Sequence, residues 1–135
     1  MSCQKRILVV SQDMMVLQTR KLMLGAYFEV SAAGRVLEAK RLLDERDFDL
    51  IILCYTLSDD DCETIMDLAQ NVCPRARFLL LTATGQDDRE FDHPQLSAEE
   101  GPFLLVRRSA EMLGYEFISK GRMVPAAQPG FASVA

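Results

Sequence analysis

Three runs of this chain are apolar at every position rather than at every second one: residues 7–10, 50–53 and 78–81. A strand with one wet face alternates. A strand apolar throughout is covered on both faces, as in a parallel sheet. The intervening segments carry helical spacing instead. Residues 14–24 are good helix formers with broad apolar coverage, closed by Gly25. Val36, Ala39 and Leu43 recur at i, i+3 and i+7 and predict a second helix. Ser58-Asp59-Asp60-Asp61 opens a third, where its side chains can cap free N–H groups and face the positive helix end. Cys62, Ile65, Leu68, Ala69 and Val72 form the apolar stripe of that helix, and Pro74 marks its end. Tyr27-Phe28-Glu29-Val30 is a short strand candidate.

The order β-α-β-α-β-α-β predicts a three-layer, doubly wound α/β domain with a parallel sheet between helices. After Thr82 the regularity fails. Residues 85–94 are polar, with Asp87, Asp88, Glu90 and Asp92, and predict no helix. Phe103, Val106, Ala110 and Leu113 share a helix face, with Pro102 suited to a first turn, and predict the last helix. A rival reading makes 103–106 the fifth strand, because short apolar runs fit either element. Tyr115-Glu116-Phe117-Ile118 could add an edge strand, and the small residues and prolines from Pro125 onward predict a frayed end. The expected organisation is one domain over 5–114 and a partly disordered extension over 115–135.

The length of 135 residues suits a single core. A net charge of −5 argues against a nucleic-acid surface. No apolar run approaches the roughly 20 residues of a membrane span. The run behind Lys5-Arg6 is too short for a signal-peptide core. These features predict a cytoplasmic protein without membrane or nucleic-acid partners. The four cysteines, Cys3, Cys54, Cys62 and Cys73, contain no C-x-x-C pair, so reduced thiols are expected rather than a zinc site or a disulfide framework. No cofactor or metal is expected.

The run Phe48-Asp49-Leu50-Ile51-Ile52-Leu53, together with Arg6-Ile7-Leu8-Val9-Val10 and Phe78-Leu79-Leu80-Leu81-Thr82-Ala83, resembles the strands of the response-regulator (chemotaxis-type) receiver family. The resemblance covers residues from Lys5 to about Leu113. It implies a flavodoxin-like, five-stranded parallel sheet flanked by five helices. In the family an acidic pair after the first strand holds magnesium; the matching positions are Ser11 and Gln12. The phosphoacceptor aspartate is matched by Cys54, and the switch hydroxyl by Thr82. The lysine-proline after the fifth strand is matched by His93-Pro94. Magnesium sites rely on carboxylates, and phosphoryl transfer relies on cations that neutralise developing charge. The resemblance thus implies a degenerate phosphorylation site. The interval from Thr82 to His93 is too short for two loops and an average helix of about 11 residues. The family's fourth helix is therefore expected to be shortened or missing. If residues 103–106 were the fifth strand, the deletion would vanish and Arg107 would approach the lysine position.

Each candidate has a bland reading beside the sharp one. Cys54 is a small buried hydrophobe, or a redox or nucleophilic thiol that needs a lowered pKa and access. The Asp59-Asp60-Asp61 run caps a helix, or binds a cation. His93 is a polar loop residue, or a pH switch. The methionines at 14, 15, 23, 66, 112 and 123 fill gaps in a core, or form an adaptable surface. Arg107-Arg108 is solvated, or meets an acidic partner. The function expected is a non-enzymatic pseudo-receiver in two-component signalling. It would work by docking to an unidentified protein or by homodimerisation, through the last helix and the irregular loop before it. The alternative is thiol chemistry at Cys54 on the same scaffold.

Overall fold

The computed structural model describes residues 5–83, 93–97, 101–118 and 122–125. Along the chain run β1 (Arg6–Val10), α1 (Met14–Gly25), β2 (Glu29–Ala33), α2 (Val36–Glu45), β3 (Leu50–Leu53), α3 (Asp59–Val72), β4 (Arg77–Thr82), β5 (Gln95–Ser97), α4 (Pro102–Met112), β6 (Tyr115–Ile118) and β7 (Arg122–Pro125). The first five strands form one parallel sheet in the order β2-β1-β3-β4-β5. Because the chain returns across β1 to begin β3, α1 and α4 cover one face and α2 and α3 the other. This is the doubly wound, flavodoxin-like architecture, with four helices among the described residues.

The side chains of β1, β3 and β4 divide between the two faces with a period of two. Ile7, Val9, Leu50, Ile52, Leu79 and Leu81 pack towards α1 and α4. Leu8, Val10, Ile51, Leu53, Phe78 and Leu80 pack towards α2 and α3. Both sets are buried, which is why these strands read as unbroken apolar runs. The helix starts are capped from the sequence. Asp13 Oδ1 accepts from the N–H groups of Met15 (3.1 Å) and Val16 (3.2 Å) at the head of α1. Ser58 Oγ accepts from Asp61 N–H at 3.1 Å at the head of α3. Gly101 precedes Pro102 at the head of α4 with φ +92°, a conformation that glycine adopts without steric cost.

Three expectations are corrected. Strand β2 begins at Glu29 rather than Tyr27, because the N–H groups of Tyr27 and Phe28 bond to the Leu24 carbonyl and finish the helix turn. The phenyl ring of Phe28 then enters the core beside α1. Residues 103–106 are helical, so the rival placement of the fifth strand is excluded. The true β5 has one buried apolar residue, Leu96, and left no apolar run to read. Finally, β6 does not extend the main sheet. It pairs antiparallel with β7 as a separate hairpin. Tyr115, Phe117 and Met123 pack on the α1/α4 core, and the Phe117 ring meets Tyr27 edge-on at 5.2 Å. Of the stretch expected to be frayed, Pro125 closes β7, and residues 126–135 lie outside the described residues. So do 84–92, which hold the acidic segment and the interval in which the family's fourth helix was expected to be shortened or missing.

Among the described residues, Ser109 Oγ is the one buried side-chain polar atom without a hydrogen-bond partner. It sits on the core side of α4 beside Leu105, Val106 and Ala110. A buried hydroxyl left unpaired costs about 1–3 kcal/mol. Ser109→Ala should therefore raise the unfolding free energy by about 1 kcal/mol in urea denaturation, with an unchanged slope.

Candidate functional site at the C-terminal rim of the sheet

In a doubly wound sheet, the crevice for ligands opens at the strand C-termini, where the strand order reverses. Here that point lies between β1 and β3. Ser11 follows β1 and Cys54 follows β3, and the backbone holds both in line. Ser11 N–H donates to Ala33 O and Cys54 N–H donates to Val10 O, each at 3.1 Å. The structure thus brings Ser11, Gln12 and Cys54 together. Thr56, in the turn after β3, ties them: its Oγ1 accepts from Gln12 N–H at 2.9 Å and lies 3.3 Å from Ser11 Oγ. Thr82 is buried at the end of β4, in register with Ser97.

His93 is not part of this cluster. It precedes β5, and its ring packs on Phe78 near the start of β4, with centroids 5.0 Å apart. Pro94 O accepts from Leu80 N–H at 3.0 Å. His93-Pro94 thus enters the strand at the end of the sheet opposite the rim, and its assignment to the lysine-proline position is corrected. The rim end of β5 is Ser97, and Ala98-Glu99-Glu100 follow in the sequence, so no lysine stands there either.

Cys54 is fully buried, and its surroundings are not those of an inert hydrophobe. Arg20 Nη1 donates to Cys54 Sγ at 3.0 Å. Burial pushes the thiol pKa up. The Thr56 backbone N–H, the Ser11 hydroxyl and the Arg20 guanidinium together outweigh it and hold the thiol below its ordinary value. By sequence alone, Arg20-Lys21 has the look of a solvated basic pair on a helix. The signal that finds Arg20 is its spacing: Leu17, Arg20 and Leu24 stand at i, i+3 and i+7, and Leu17 and Leu24 are buried against the sheet. Arg20 therefore lies on the sheet-facing stripe of α1. Thr56 had no sequence signal beyond its place just after β3.

The fold invites a divalent cation at this rim, and the donor set does not fit one. Ser11 and Gln12 offer neutral oxygens, and the Asp13 carboxylate caps α1. Arg20 places a fixed positive charge beside Cys54. A hard cation prefers carboxylate and water oxygens to a thiol paired with a guanidinium. Among the described residues, no group of three or more His, Cys, Asp or Glu side chains comes together. Asp59, Asp60 and Asp61 occupy the first turn of α3 behind the Ser58 cap.

No protein-family model matches the chain, and no curated protein matches it either. The architecture is that of the CheY-like response-regulator receiver domains. A receiver domain protein from Methanospirillum hungatei JF-1 aligns with a TM-score of 0.69 at 22% identity, over 82% of this chain and 94% of its own. Vibrio cholerae chemotaxis protein CheY4 aligns with the same TM-score at 18% identity, over 82% and 99%. The signal receiver domain of an HD domain-containing protein from Pseudomonas fluorescens Pf-5 aligns at 0.63 and 24%, over 78% and 93%.

A thiol whose pKa is depressed by folding favours the folded state at pH above its unfolded value. That contribution is lost as pH falls through the folded value. Cys73 is shifted the other way, by burial, so the comparison must isolate Cys54. The stability difference between the wild type and Cys54→Ser should therefore grow in favour of the wild type as pH rises from neutral to about 8.5, the ordinary thiol value. Arg20→Met should flatten that trend and delay the thiolate ultraviolet absorbance to higher pH.

Proposed function

We propose that this chain is a receiver-shaped signalling module that is not phosphorylated, performs no catalysis, and works by protein–protein contact. The observation that carries the reading is the Arg20–Cys54 pair at the position matching the family's phosphoacceptor. Phosphoryl transfer to a receiver needs an acceptor oxygen and a metal held by carboxylates to neutralise the incoming charge. At this rim the acceptor oxygen is replaced by sulfur, and the acidic pair by Ser11 and Gln12. The cation beside the acceptor position comes from α1 rather than from the end of β5.

The exposed side of α4 supplies a contact surface. Phe103 is 68% exposed at its start. Arg107 and Arg108 follow on the helix and share Glu111 as an ion-pair partner, at 3.7 and 3.5 Å. Such exposed pairs contribute only about 0.2–1 kcal/mol, so both arginines can exchange Glu111 for an acidic partner at little cost. A partner protein in a two-component pathway, or a second copy of the chain, is the proposed occupant. No described helix is long and apolar enough to cross a membrane.

The thiol reading draws support from the same Arg20 contact, since a guanidinium favours a thiolate. Full burial of Cys54 weighs against it, because a nucleophile must be reached. Labelling of the native protein with a maleimide decides between them. Labelling of Cys54 is expected only at the rate of unfolding, alongside Cys62 and Cys73. Fast selective labelling of Cys54 would transfer the function to the thiol.

Incubation with acetyl phosphate or beryllofluoride plus Mg²⁺ should leave the amide NMR spectrum and the mass of the intact protein unchanged. Cys54→Asp alone should stay silent, whereas the triple variant Ser11→Asp, Gln12→Asp, Cys54→Asp should gain Mg²⁺ binding. A phosphorylated wild-type chain would overturn the reading. In a strain lacking the gene, Phe103→Asp should fail to complement while Cys54→Ser complements fully.

A further inference from the structure

Between α1 and the head of α4, over the ends of β4 and β5, lies a cavity of about 250 Å³. Leu81, Leu96 and Leu105 form its floor and far wall, and Met15 and Val16 its near wall. Gly101 stands at its edge with no side chain and no atom within 4 Å of where one would project, which leaves that edge open. Among the described residues, Arg20 is the one charged side chain that lines the cavity, and no carboxylate does. The volume falls below the roughly 300 Å³ at which pockets for drug-sized molecules begin, so an occupant must be small.

We propose that this cavity binds a small apolar monocarboxylic acid, with its carboxylate on Arg20 and its hydrocarbon part against Leu81, Leu96 and Leu105. The lining selects against the other classes. A cation meets a guanidinium with no counter-charge among the described lining residues. A phosphate would give up its water for apolar walls and a single donor group. A neutral apolar molecule would leave the guanidinium unanswered. A carboxylic acid with a hydrocarbon tail matches both the charge and the walls. The guanidinium has five N–H donors in a fixed planar fork and no acceptor. Cys54 Sγ is its hydrogen-bond partner among the described residues, on Nη1, which leaves donors for a carboxylate. The same side chain therefore touches the cavity on one side and the rim thiol on the other. An acid bound there draws on the guanidinium that donates to Cys54, and so couples the cavity to the rim. This site goes beyond the proposed contact surface on α4 and does not depend on which partner docks there.

The test uses the full chain titrated with sodium octanoate, 1-octanol and octylamine, each read by calorimetry and by amide NMR shifts. Octanoate should bind saturably and shift residues 15–20, 81, 96, 97 and 105. 1-Octanol should bind about tenfold or more weakly, since it lacks the charge-assisted hydrogen bonds. Octylamine should not bind. Arg20→Met should reduce octanoate to the level of octanol, and Leu105→Phe, which fills the cavity, should block both. If Arg20→Met does not fold by circular dichroism, Arg20→Lys takes its place. It keeps the charge without the planar fork, and should bind octanoate several-fold more weakly than the wild type. Equal affinity for octanoate and octanol overturns the proposal. So do undiminished binding by the Arg20 variant, shifts that map outside the cavity, and titrations that never saturate. None of these outcomes bears on phosphorylation, so this proposal and the functional reading stand or fall separately.

Discussion

Coverage of the central strands on both faces is the constraint that arranges everything else. β1, β3 and β4 are buried along their whole apolar length, so no functional group has room in the body of the sheet. Polar side chains first appear where the strands end. Parallel strands all end at one rim, which gathers Ser11, Cys54 and Thr82 at a single edge of the sheet. The chemistry of the molecule is thus confined to a thin layer between the helix heads, and its character depends on a few side chains there.

In that layer the rim carries its own cation. Arg20 neutralises the rim from within, and Thr56 and Ser11 complete a hydrogen-bonded ring around the sulfur. The arrangement holds a thiol low in pKa at a buried position. It retains a link outward, because the guanidinium lies between Cys54 and the cavity beside α4.

Much of this was legible in the residues. The unbroken runs at β1, β3 and β4 read directly as double burial, and Ser58 and Gly25 marked helix ends where the structure has them. Ser11, Gln12 and Cys54 were marked by the family resemblance, and the strand order explains why they meet, because parallel strands present their ends together. The misses have a common physical origin. β5 has one buried residue, so it left no apolar pattern, and His93-Pro94 was placed after a strand that it precedes. Arg20 was hidden because a charged residue on a buried stripe looks like a solvated one until the facing atom is known. The β6–β7 hairpin was hidden because its two strands satisfy each other's backbone and bury only one side against the core.

The hairpin also bears on how the chain is made. The α2/α3 core is built from residues 8–80, all of which are made before α4. The opposite core cannot close until α4, Tyr115 and Phe117 arrive to meet Tyr27 and Phe28 from the far end of the chain. A chain made only as far as β4 holds every residue of one core and leaves the apolar face of the other without its cover.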